Sequence, residues 1–296
     1  MADASLLVLA RNLARALGRD LRESLASGAE RDPALSALGA TWLLYWSLAA
    51  ALIGLSLYLL MGYHAGFLGF NALTARGPGW PWEWLTMLGD ERVAFALTLL
   101  FSRRHPRLFW TLICAAVVAA LCSRGLKALF DAARPPAVLA AESFNLLGPE
   151  RRSLSFPSGH SVTAAVFFGV LVYYARWLPW RLLFLLLALL AGLSRVAVGV
   201  HWPVDVAAGL AGGALAAWAG VWLANRSPWG LYNGALHLAF VSVAAVMALS
   251  LWFDDGGYTA AGETLQLLAV LCLSSAALGY LLMPLWRVLA RGAGTG

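Results

Sequence analysis

The sequence predicts an all-α protein, a polytopic bundle of helices that crosses a membrane. Of its 296 residues, 61% are hydrophobic and only 12% are charged, whereas a soluble domain carries about 25% charged residues. The hydrophobic residues gather into continuous runs near the length that spans a bilayer as a helix, roughly 17–25 residues. In chain order these runs are 41–61, 86–102, 108–130, 160–176, 180–198, 204–224, 235–252 and 264–285. Continuous apolar runs also argue against a membrane barrel, whose strands alternate polar and apolar residues.

The first element, within residues 1–38, is expected to be a basic amphipathic helix on the cytoplasmic side. Leucine and arginine recur there at helical spacing, at Leu9, Arg11, Leu13, Arg15, Leu17, Arg19, Leu21 and Arg22. Such a helix has one apolar and one cationic face, which suits a membrane surface that carries anionic lipids. We therefore expect an interfacial anchor.

The eight apolar runs predict eight membrane helices, of which the second and fourth are short or have polar ends. Basic residues favour the cytoplasmic side of a membrane. A cytoplasmic N-terminus places most of the 21 Lys and Arg residues on that side, and an even number of helices returns the C-terminus to it. The basic residues left on the outer side are Arg76, Arg92, Arg124, Lys127, Arg134, Arg151, Arg152 and Arg195. These exceptions require an explanation.

Two linkers and one helix carry further signals. The linker 62–85 is rich in glycine, proline and tryptophan, and its tryptophans are expected at the membrane–water boundary. The linker before the last helix contains Asp254 and Asp255, which are expected to be solvated. Within the sixth run, small residues recur at a spacing that lets a neighbouring helix approach closely. They are Gly209, Gly212, Gly213, Ala216 and Gly220.

The remaining composition excludes some classes of site. Cys114, Cys122 and Cys272 all fall in apolar runs without a CxxC pattern, so we interpret them as small core residues and not as disulfides or metal ligands. A nucleic-acid partner is not expected, since the sequence contains no extended soluble basic domain.

The first polar cluster is the stretch KALFDAARP at the end of the third run. Lys127 and Arg134 are seven residues apart, about two helical turns, so on a helix both point the same way. Pro135 and Pro136 should then end the helix. The alternative is that Lys127 pairs with Asp131 at a solvated helix end.

The second cluster is PSGH, directly before the fourth run. Ser158 is a good N-cap residue, and Gly159 lets another backbone approach closely. The free N–H groups of a helix that begins there suit a phosphate group. The alternative is an ordinary cap after a proline turn, with His160 as a polar interfacial residue.

The third cluster is SRVAVGVHWPVD, between the fifth and sixth runs. Arg195 closes one helix, and Pro203 suits the first turn of the next. Asp205 then lies one turn from His201 and can accept a hydrogen bond from its ring, fixing the tautomer and the orientation. The alternative is an unrelated His–Asp pair at a boundary.

Taken together, the three clusters indicate one site. Three cations, two histidines and one carboxylate fall on the same side of the membrane, at the ends of four helices. Ionisable groups near a bilayer are costly and usually functional. Cations that converge on a helix N-terminus can hold a dianion, and two histidines can supply a nucleophile and an acid.

This pattern, K-x6-RP, PSGH and SR-x5-H-x3-D, resembles the signature motifs of the type 2 phosphatidic acid phosphatase (lipid phosphate phosphatase) superfamily. The matching residues are Lys127, Arg134, Pro135, Pro157, Ser158, Gly159, His160, Ser194, Arg195, His201 and Asp205. The resemblance covers roughly residues 86–224 and implies a six-helix phosphatase core over 39–226. It assigns no role to the two additional helices of 227–296.

The resemblance implies a phosphohistidine route, in which His201 attacks phosphorus, Asp205 orients it and His160 protonates the leaving oxygen. It also implies that the phosphoryl oxygens are held by Lys127, Arg134, Ser158, Gly159 and Arg195. Phosphoryl transfer depends mostly on positioning and on stabilising charge on these oxygens, which cations and N–H groups can do without a metal or other cofactor. The alternative, a metal held by the two histidines and the carboxylate, is disfavoured because the cations would repel it.

The implied substrate is a lipid phosphate or pyrophosphate, with undecaprenyl pyrophosphate or a glycerophospholipid phosphate as first candidates. We expect the inner membrane of a bacterium, with the site facing the periplasm. Arg124, Arg151 and Arg152 are either contacts for a second phosphate or merely solvated. The alternatives are a lipid A phosphatase, a phosphotransferase between membrane lipids, a vanadate haloperoxidase, and a non-enzymatic lipid transporter or binding module. The bilayer and the lipid are the predicted partners, and no protein partner can be inferred.

Overall fold

The computed structural model describes residues 2–31 and 36–293, and this part of the chain is helical and contains no β-strand. The helices are α1 (Ala2–Arg31), α2 (Ala37–Met61), α3 (Phe67–Thr74), α4 (Trp80–Met87), α5 (Glu91–Thr98), α6 (Pro106–Phe130), α7 (Pro135–Val138), α8 (Gly159–Tyr174), α9 (Leu178–Ala197), α10 (Pro203–Arg226), α11 (Trp229–Tyr232), α12 (Gly234–Phe253), α13 (Gly262–Ala277) and α14 (Met283–Ala293). A π-helical segment, Leu278–Leu282, joins the last two. The all-α prediction is confirmed.

Six helical segments are long and apolar enough to cross a membrane. They are Ala37–Met61, Pro106–Val138, Leu178–Ala197, Pro203–Arg226, Gly234–Phe253 and Thr259–Ala290. The 16-residue helix α8 is also apolar but shorter. These segments match seven of the eight predicted runs to within a few residues at most ends, so the chain is an integral membrane protein with a polytopic helix bundle.

The second predicted helix differs most from the structure. Residues 86–102 form the end of α4, a break at Asp90, the eight-residue helix α5 and then a series of turns. The break arises because the Asp90 carboxylate caps α5, accepting a hydrogen bond from the Arg92 backbone N–H at 2.7 Å. The preceding linker, predicted only as a boundary segment, contains α3 and most of α4.

The N-terminal helix α1 packs against the bundle through the second half of its length. Leu21, Leu25 and Ala29 are buried, whereas Arg19 and Arg22 are exposed, so the predicted amphipathic pattern is present in this half. The side chains of residues 1–10, including Leu9, lie outside the described part of the chain. Asp20 is also buried. The inward face of α1 therefore packs against the rest of the protein.

Helices α8 and α10 lie at the centre of the bundle and are mostly buried. A methyl group at Gly213 would lie 2.5 Å from the carbonyl oxygen of Val162, and one at Gly209 would lie 2.7 Å from that of Ser158. The predicted close approach is thus confirmed at these two positions, whereas Gly212 faces open space. This contact fixes the start of α8 against the start of α10.

The cysteines match their prediction in part. All three are free thiols; Cys114 and Cys272 are buried, and Cys122 is exposed on the bundle surface.

Candidate active site

His201 and Asp205 form a buried hydrogen-bonded pair at the start of α10. Pro203 opens this helix, which places Asp205 in its first turn. His201 Nδ1 lies 3.2 Å from Asp205 Oδ2, and the two residues are 1% and 0% exposed. The predicted hydrogen bond is therefore present. A proton on Nδ1 leaves the other ring nitrogen, Nε2, with a free lone pair.

Asp205 is held by three further donors. The Ser155 hydroxyl donates to Oδ2 at 2.5 Å, and the Trp202 backbone N–H donates to it at 3.0 Å. The Tyr63 hydroxyl donates to Oδ1. Burial, followed by the negative charge of Asp205, raises the pKa of Tyr63 above its ordinary range, so Tyr63 stays protonated and remains a donor. The carboxylate is fixed from several sides.

Lys127 and Arg134 converge on one backbone carbonyl. Lys127 Nζ donates to the oxygen of Leu154 at 2.7 Å, and Arg134 donates to the same oxygen at 3.4 Å. Arg134 Nε also donates to the carbonyl of Ser153 at 2.8 Å. The alternative in which Lys127 pairs with Asp131 is not what the described residues show.

The reason for this convergence differs from the prediction. Lys127 and Arg134 do not share a helix, because α6 ends at Phe130 and Asp131 follows in the left-handed conformation with a φ of 36°. Arg134 lies in extended backbone ahead of Pro135 and α7. The two cations meet through a reversal of the chain, and the expectation that helical spacing aligns them was wrong.

Arg195, in the last turn of α9, is 2% exposed and has no carboxylate partner within the described part of the chain. One terminal nitrogen, NH1, donates to the hydroxyl of Thr86 and, at 2.9 Å, to that of Tyr258. Its Nε is buried without a hydrogen-bond partner among the residues that the structure describes. A buried N–H group of this kind is costly unless an acceptor reaches it, so Arg195 is suited to bind an anion.

The start of α8 joins these groups. The Ser158 hydroxyl accepts a hydrogen bond from Ser161, as predicted for an N-cap, and the Ser158 backbone N–H donates to the carbonyl of Asp205 at 3.1 Å. A methyl group at Gly159 would lie 4.0 Å from the end of the Lys127 side chain. The helix N-terminus, the first cation and the His–Asp pair are thus neighbours.

A cavity of about 770 Å³ opens beside this cluster. Its polar part is lined by Lys127, Arg151, Gly159, His160 and Arg195, and also by the acidic residues Asp90, Glu91 and Asp254. Asp90 and Asp254 are paired with Arg92. Its apolar part includes Leu112, Ile113, Val117, Val166 and Phe240. Arg134, Ser158, His201 and Asp205 are buried. A cavity with unpaired cations and an apolar wall fits an amphiphile with an anionic head.

The cations also set the protonation of His201. Burial, together with the positive charges of Arg134, Arg195 and Lys127, holds the pKa of His201 well below its usual range. The ring is therefore neutral, which is the state a nitrogen nucleophile requires. The half-buried His160 lies close enough to Arg195 and His201 to interact with them electrostatically.

All eight predicted site residues thus lie in one region, but sequence reasoning missed four others: Tyr63, Ser155, Thr86 and Tyr258. Ser155 lies two residues before the second motif, so its position was a usable signal. Tyr258 follows the acidic linker that was expected to be solvated. Asp254 is exposed, as expected, but it also forms an ion pair with Arg92 at 3.0 Å.

The structure also tests which side chains could hold a metal. Within residues 2–31 and 36–293, no group of three or more His, Cys, Asp and Glu side chains is placed to bind a metal ion.

Comparison with known proteins agrees with this site. Residues 107–229 match the family described as the PAP2 superfamily. An undecaprenyl-diphosphatase from Sulfolobus acidocaldarius is 31% identical over 187 residues, which are 56% of this chain and 84% of that protein. A lipid A 1-phosphatase from Rhizobium johnstonii is 49% identical over 61 residues, 20% of this chain and 24% of that protein.

A solved structure is also similar. The crystal structure of Aquifex aeolicus LpxE is 29% identical in sequence, with a TM-score of 0.48, and the match covers 52% of this chain and 92% of that one. The chain covers 84% of the length of the undecaprenyl-diphosphatase but only 24% of the length of the lipid A 1-phosphatase.

Proposed function

Because the chain belongs to the PAP2 superfamily, we propose that it hydrolyses the phosphate or diphosphate group of a membrane lipid through a phosphohistidine intermediate. The observation that carries this proposal is the buried His201–Asp205 pair, set beside three cations that lack carboxylate partners in the described chain. The cavity next to them has the apolar wall that a lipid tail requires.

In the first step, His201 Nε2 attacks phosphorus and the bond between phosphorus and the leaving oxygen breaks. Asp205 accepts the Nδ1–H hydrogen bond and stabilises the positive charge that develops on the ring. His160 donates a proton to the leaving oxygen, which departs as a lipid alcohol or, from a diphosphate, as a lipid monophosphate. The phosphoryl group is then bonded to His201.

In the second step, water attacks the phosphohistidine and the phosphorus–nitrogen bond breaks. His160, deprotonated in the first step, accepts a proton from this water. Inorganic phosphate leaves and His201 is regenerated. Each histidine returns to its starting state, so the cycle balances.

The cations and the start of α8 stabilise the oxygens during both steps. Lys127 and Arg134 now donate to the Leu154 carbonyl, and a phosphoryl oxygen would compete for these donors. The buried Nε of Arg195 supplies another donor. Fixed donors of this type act on the charge that phosphoryl transfer spreads over three oxygens.

This arrangement supports hydrolysis without a metal. The three cations would repel a divalent ion at the same place. Phosphate release should therefore continue at an unchanged rate in excess EDTA. Complete loss of activity in EDTA, restored by a divalent metal, would contradict this part of the proposal.

The substrate that the cavity favours is a lipid diphosphate, with undecaprenyl diphosphate as the first candidate. Arg124 and Arg151 also line the cavity, and their positive charges support a second phosphate as part of the substrate. Arg152 instead pairs with Glu150 at 2.6 Å. The relative aligned over most of its length is named an undecaprenyl-diphosphatase. A lipid A phosphate or a glycerophospholipid phosphate is the second candidate, because one relative is named a lipid A 1-phosphatase.

The proposed setting is the inner membrane of a bacterium, with both termini cytoplasmic and the cavity facing the periplasm. The distribution of basic residues supports this orientation. Within it, residues 1–38 form the anchoring segment, 39–226 the six-helix core, and 227–296 a C-terminal extension.

A panel of lipid phosphates tests the proposal. Purified protein in detergent micelles is given undecaprenyl diphosphate, phosphatidic acid, phosphatidylglycerol phosphate and lipid A, and free phosphate is measured. We expect the fastest release from undecaprenyl diphosphate. Recovery of labelled phosphate in a second lipid would identify a transferase. Absence of release and transfer with every lipid would overturn the proposal and favour a binding module.

A further inference from the structure

We propose that the C-terminal extension, residues 227–296, completes the phosphate site by supplying Tyr258 as a positioning residue for Arg195. This inference rests on the proposed function, because it assigns the Arg195 guanidinium to the phosphoryl oxygens. It gives a role to a segment that the PAP2 match, residues 107–229, barely reaches.

The contact itself is direct. The Tyr258 hydroxyl accepts a hydrogen bond from Arg195 NH1 at 2.9 Å, and its ring centre lies 5.8 Å from the guanidinium carbon. Tyr258 is 4% exposed. It also lines the cavity together with Asp254 and Gly256 of the same loop. The extension therefore reaches the primary site.

Tyr258 is fixed by the loop that precedes the second motif. Gly148 has a φ of 76°, and a methyl group added to it would lie 2.6 Å from the Tyr258 ring. A methyl group added to Gly257 would likewise lie 2.8 Å from the ring of Pro149. A side chain at either glycine would clash with its neighbour, so these two close approaches lock the extension loop onto the core.

An ion pair ties the same loop to α5. Arg92 contacts Asp90 at 2.9 Å and Asp254 at 3.0 Å. The Arg92 guanidinium also donates to the backbone carbonyl of Asp254. The extension loop is thus attached to the core at Asp254 as well as at Gly257 and Tyr258.

The chemistry of the partner explains why a tyrosine suits this position. A carboxylate beside Arg195 would neutralise its charge and compete with phosphate. The hydroxyls of Thr86 and Tyr258 instead hold NH1 in place and leave the positive charge uncompensated. The buried Nε then remains available to an incoming oxygen. Donors fixed before the substrate arrives stabilise developing charge most effectively.

The test is a double-mutant cycle with a matched control. Tyr258→Phe removes the hydroxyl and keeps the ring, and it is made in the wild-type and Arg195→Ala backgrounds. The control is Tyr280→Phe, which also removes a half-buried hydrogen-bonded hydroxyl from the extension, but one that bonds to His237 and Ser102 and not to Arg195. The readouts are kcat/KM for lipid phosphate and the melting temperature.

We expect Tyr258→Phe to lower kcat/KM about tenfold, the size expected for one hydrogen bond to a charged group. In the Arg195→Ala background the same change should alter kcat/KM by less than about twofold, because the two residues act through one contact. Tyr280→Phe should stay near the wild-type value. Inorganic phosphate should protect the wild type from heat more strongly than it protects Tyr258→Phe.

Three outcomes would overturn the inference. The first is wild-type kcat/KM for Tyr258→Phe, and the second is an equal loss in both backgrounds. The third is a Tyr258→Phe protein that does not fold while Tyr280→Phe does, because Tyr258 would then be structural. If the wild type releases no phosphate from any lipid, the proposed function fails, and heat protection by inorganic phosphate still decides whether Tyr258 acts through Arg195.

Discussion

Two groups of buried and half-buried polar residues in the described part of the bundle treat charge in opposite ways. The site cluster consists of Lys127, Arg134, His160, Arg195, His201 and Asp205. The distal cluster consists of Asp20, Ser102, Arg103, His237 and Tyr280. His237 of the distal cluster lies near the start of α12, and the loop that contacts Arg195 through Tyr258 follows the end of this helix. Twenty helical residues correspond to a distance of about 30 Å.

The distal cluster is internally compensated. Arg103 forms an ion pair with Asp20 and donates to the carbonyl of Gly279 at 2.6 Å. His237 Nε2 lies 2.7 Å from the Tyr280 hydroxyl, which in turn lies 2.8 Å from that of Ser102. These contacts join α1, the α5–α6 turns and the extension. The cluster therefore has the properties of a structural tie.

The site cluster is not compensated in this way. Its one carboxylate, Asp205, is occupied by His201, Tyr63 and Ser155. Its cations donate to backbone carbonyls and hydroxyls. Burying a cation without an anion is costly. A buried positive charge without a protein partner therefore indicates an anion-binding site, whereas a buried charge that is paired indicates a structural role.

The largest expected effect separates the two buried histidines. His201→Ala should lower kcat for lipid phosphate hydrolysis by about 10³-fold or more, because it removes the nucleophile. His237→Ala should leave kcat within about threefold and lower the melting temperature, because it removes a packing and hydrogen-bond partner. Phosphate release and thermal unfolding are measured on both variants. Equal losses of activity in the two variants would contradict the proposal that His201 acts in catalysis and His237 in stability.

The second effect separates the two buried arginines. Arg195→Met should lower kcat/KM by about 10²- to 10³-fold, as for loss of one oxyanion donor, with little loss of stability because an unpaired charge is removed. Arg103→Met leaves the buried Asp20 with only its longer contact to Arg287, at 3.4 Å, and should destabilise the fold by about 2 kcal/mol with activity nearly intact. Chemical denaturation and initial rates distinguish them. A stability loss in Arg195→Met as large as that in Arg103→Met would contradict the comparison.

Much of the fold and of the candidate site could be predicted from the sequence. Apolar runs fix where helices lie because lipid requires each span to satisfy its own backbone, so the bounds of α2, α6, α9, α10 and α12 agree with the runs. The eight candidate site residues could be proposed together because their motifs are local. The His201–Asp205 contact followed from one helical turn.

The remainder depends on contacts between distant residues. Tyr63 and Asp205 are 142 positions apart, Thr86 and Arg195 are 109, and Tyr258 and Arg195 are 63. No periodicity in the sequence connects such pairs. Arg134 was predicted to lie on the same helix as Lys127, and this was wrong because of one residue. Asp131 adopts the left-handed conformation and ends α6 before the prolines that were expected to end it.

The third effect is a shift in pH dependence. His201 must be neutral to attack, and its pKa is held well below the ordinary value of about 6.5 by burial and by Arg134, Arg195 and Lys127. Activity should therefore persist as the pH falls through 6.5 and decline only below it. The acid limb of the pH profile of kcat/KM measures this pKa.

Removing one cation sharpens this test. In Arg134→Met, the acid limb should move to higher pH, because less positive charge opposes protonation of His201. Arg103→Met, in the distal cluster, should leave the limb unchanged. A wild-type acid limb centred at or above pH 6.5 would contradict the assigned roles.

The smallest expected effect concerns the ion pair that ties the extension loop to the core. Asp254→Asn removes the charge that meets Arg92 but keeps an oxygen that can accept from the Gly256 N–H. Because the Asp254 side chain is 67% exposed, the pair should contribute less than about 1 kcal/mol. We expect a rise in KM of about twofold, with unchanged kcat. Asp255→Asn is the matched control, since its carboxylate caps Gly257 in the same loop. If both variants changed KM equally, the charge on the loop would matter and the contact with Arg92 would not. A rise confined to Asp254→Asn would show that even the exposed edge of the extension acts on the site through its attachment to the core.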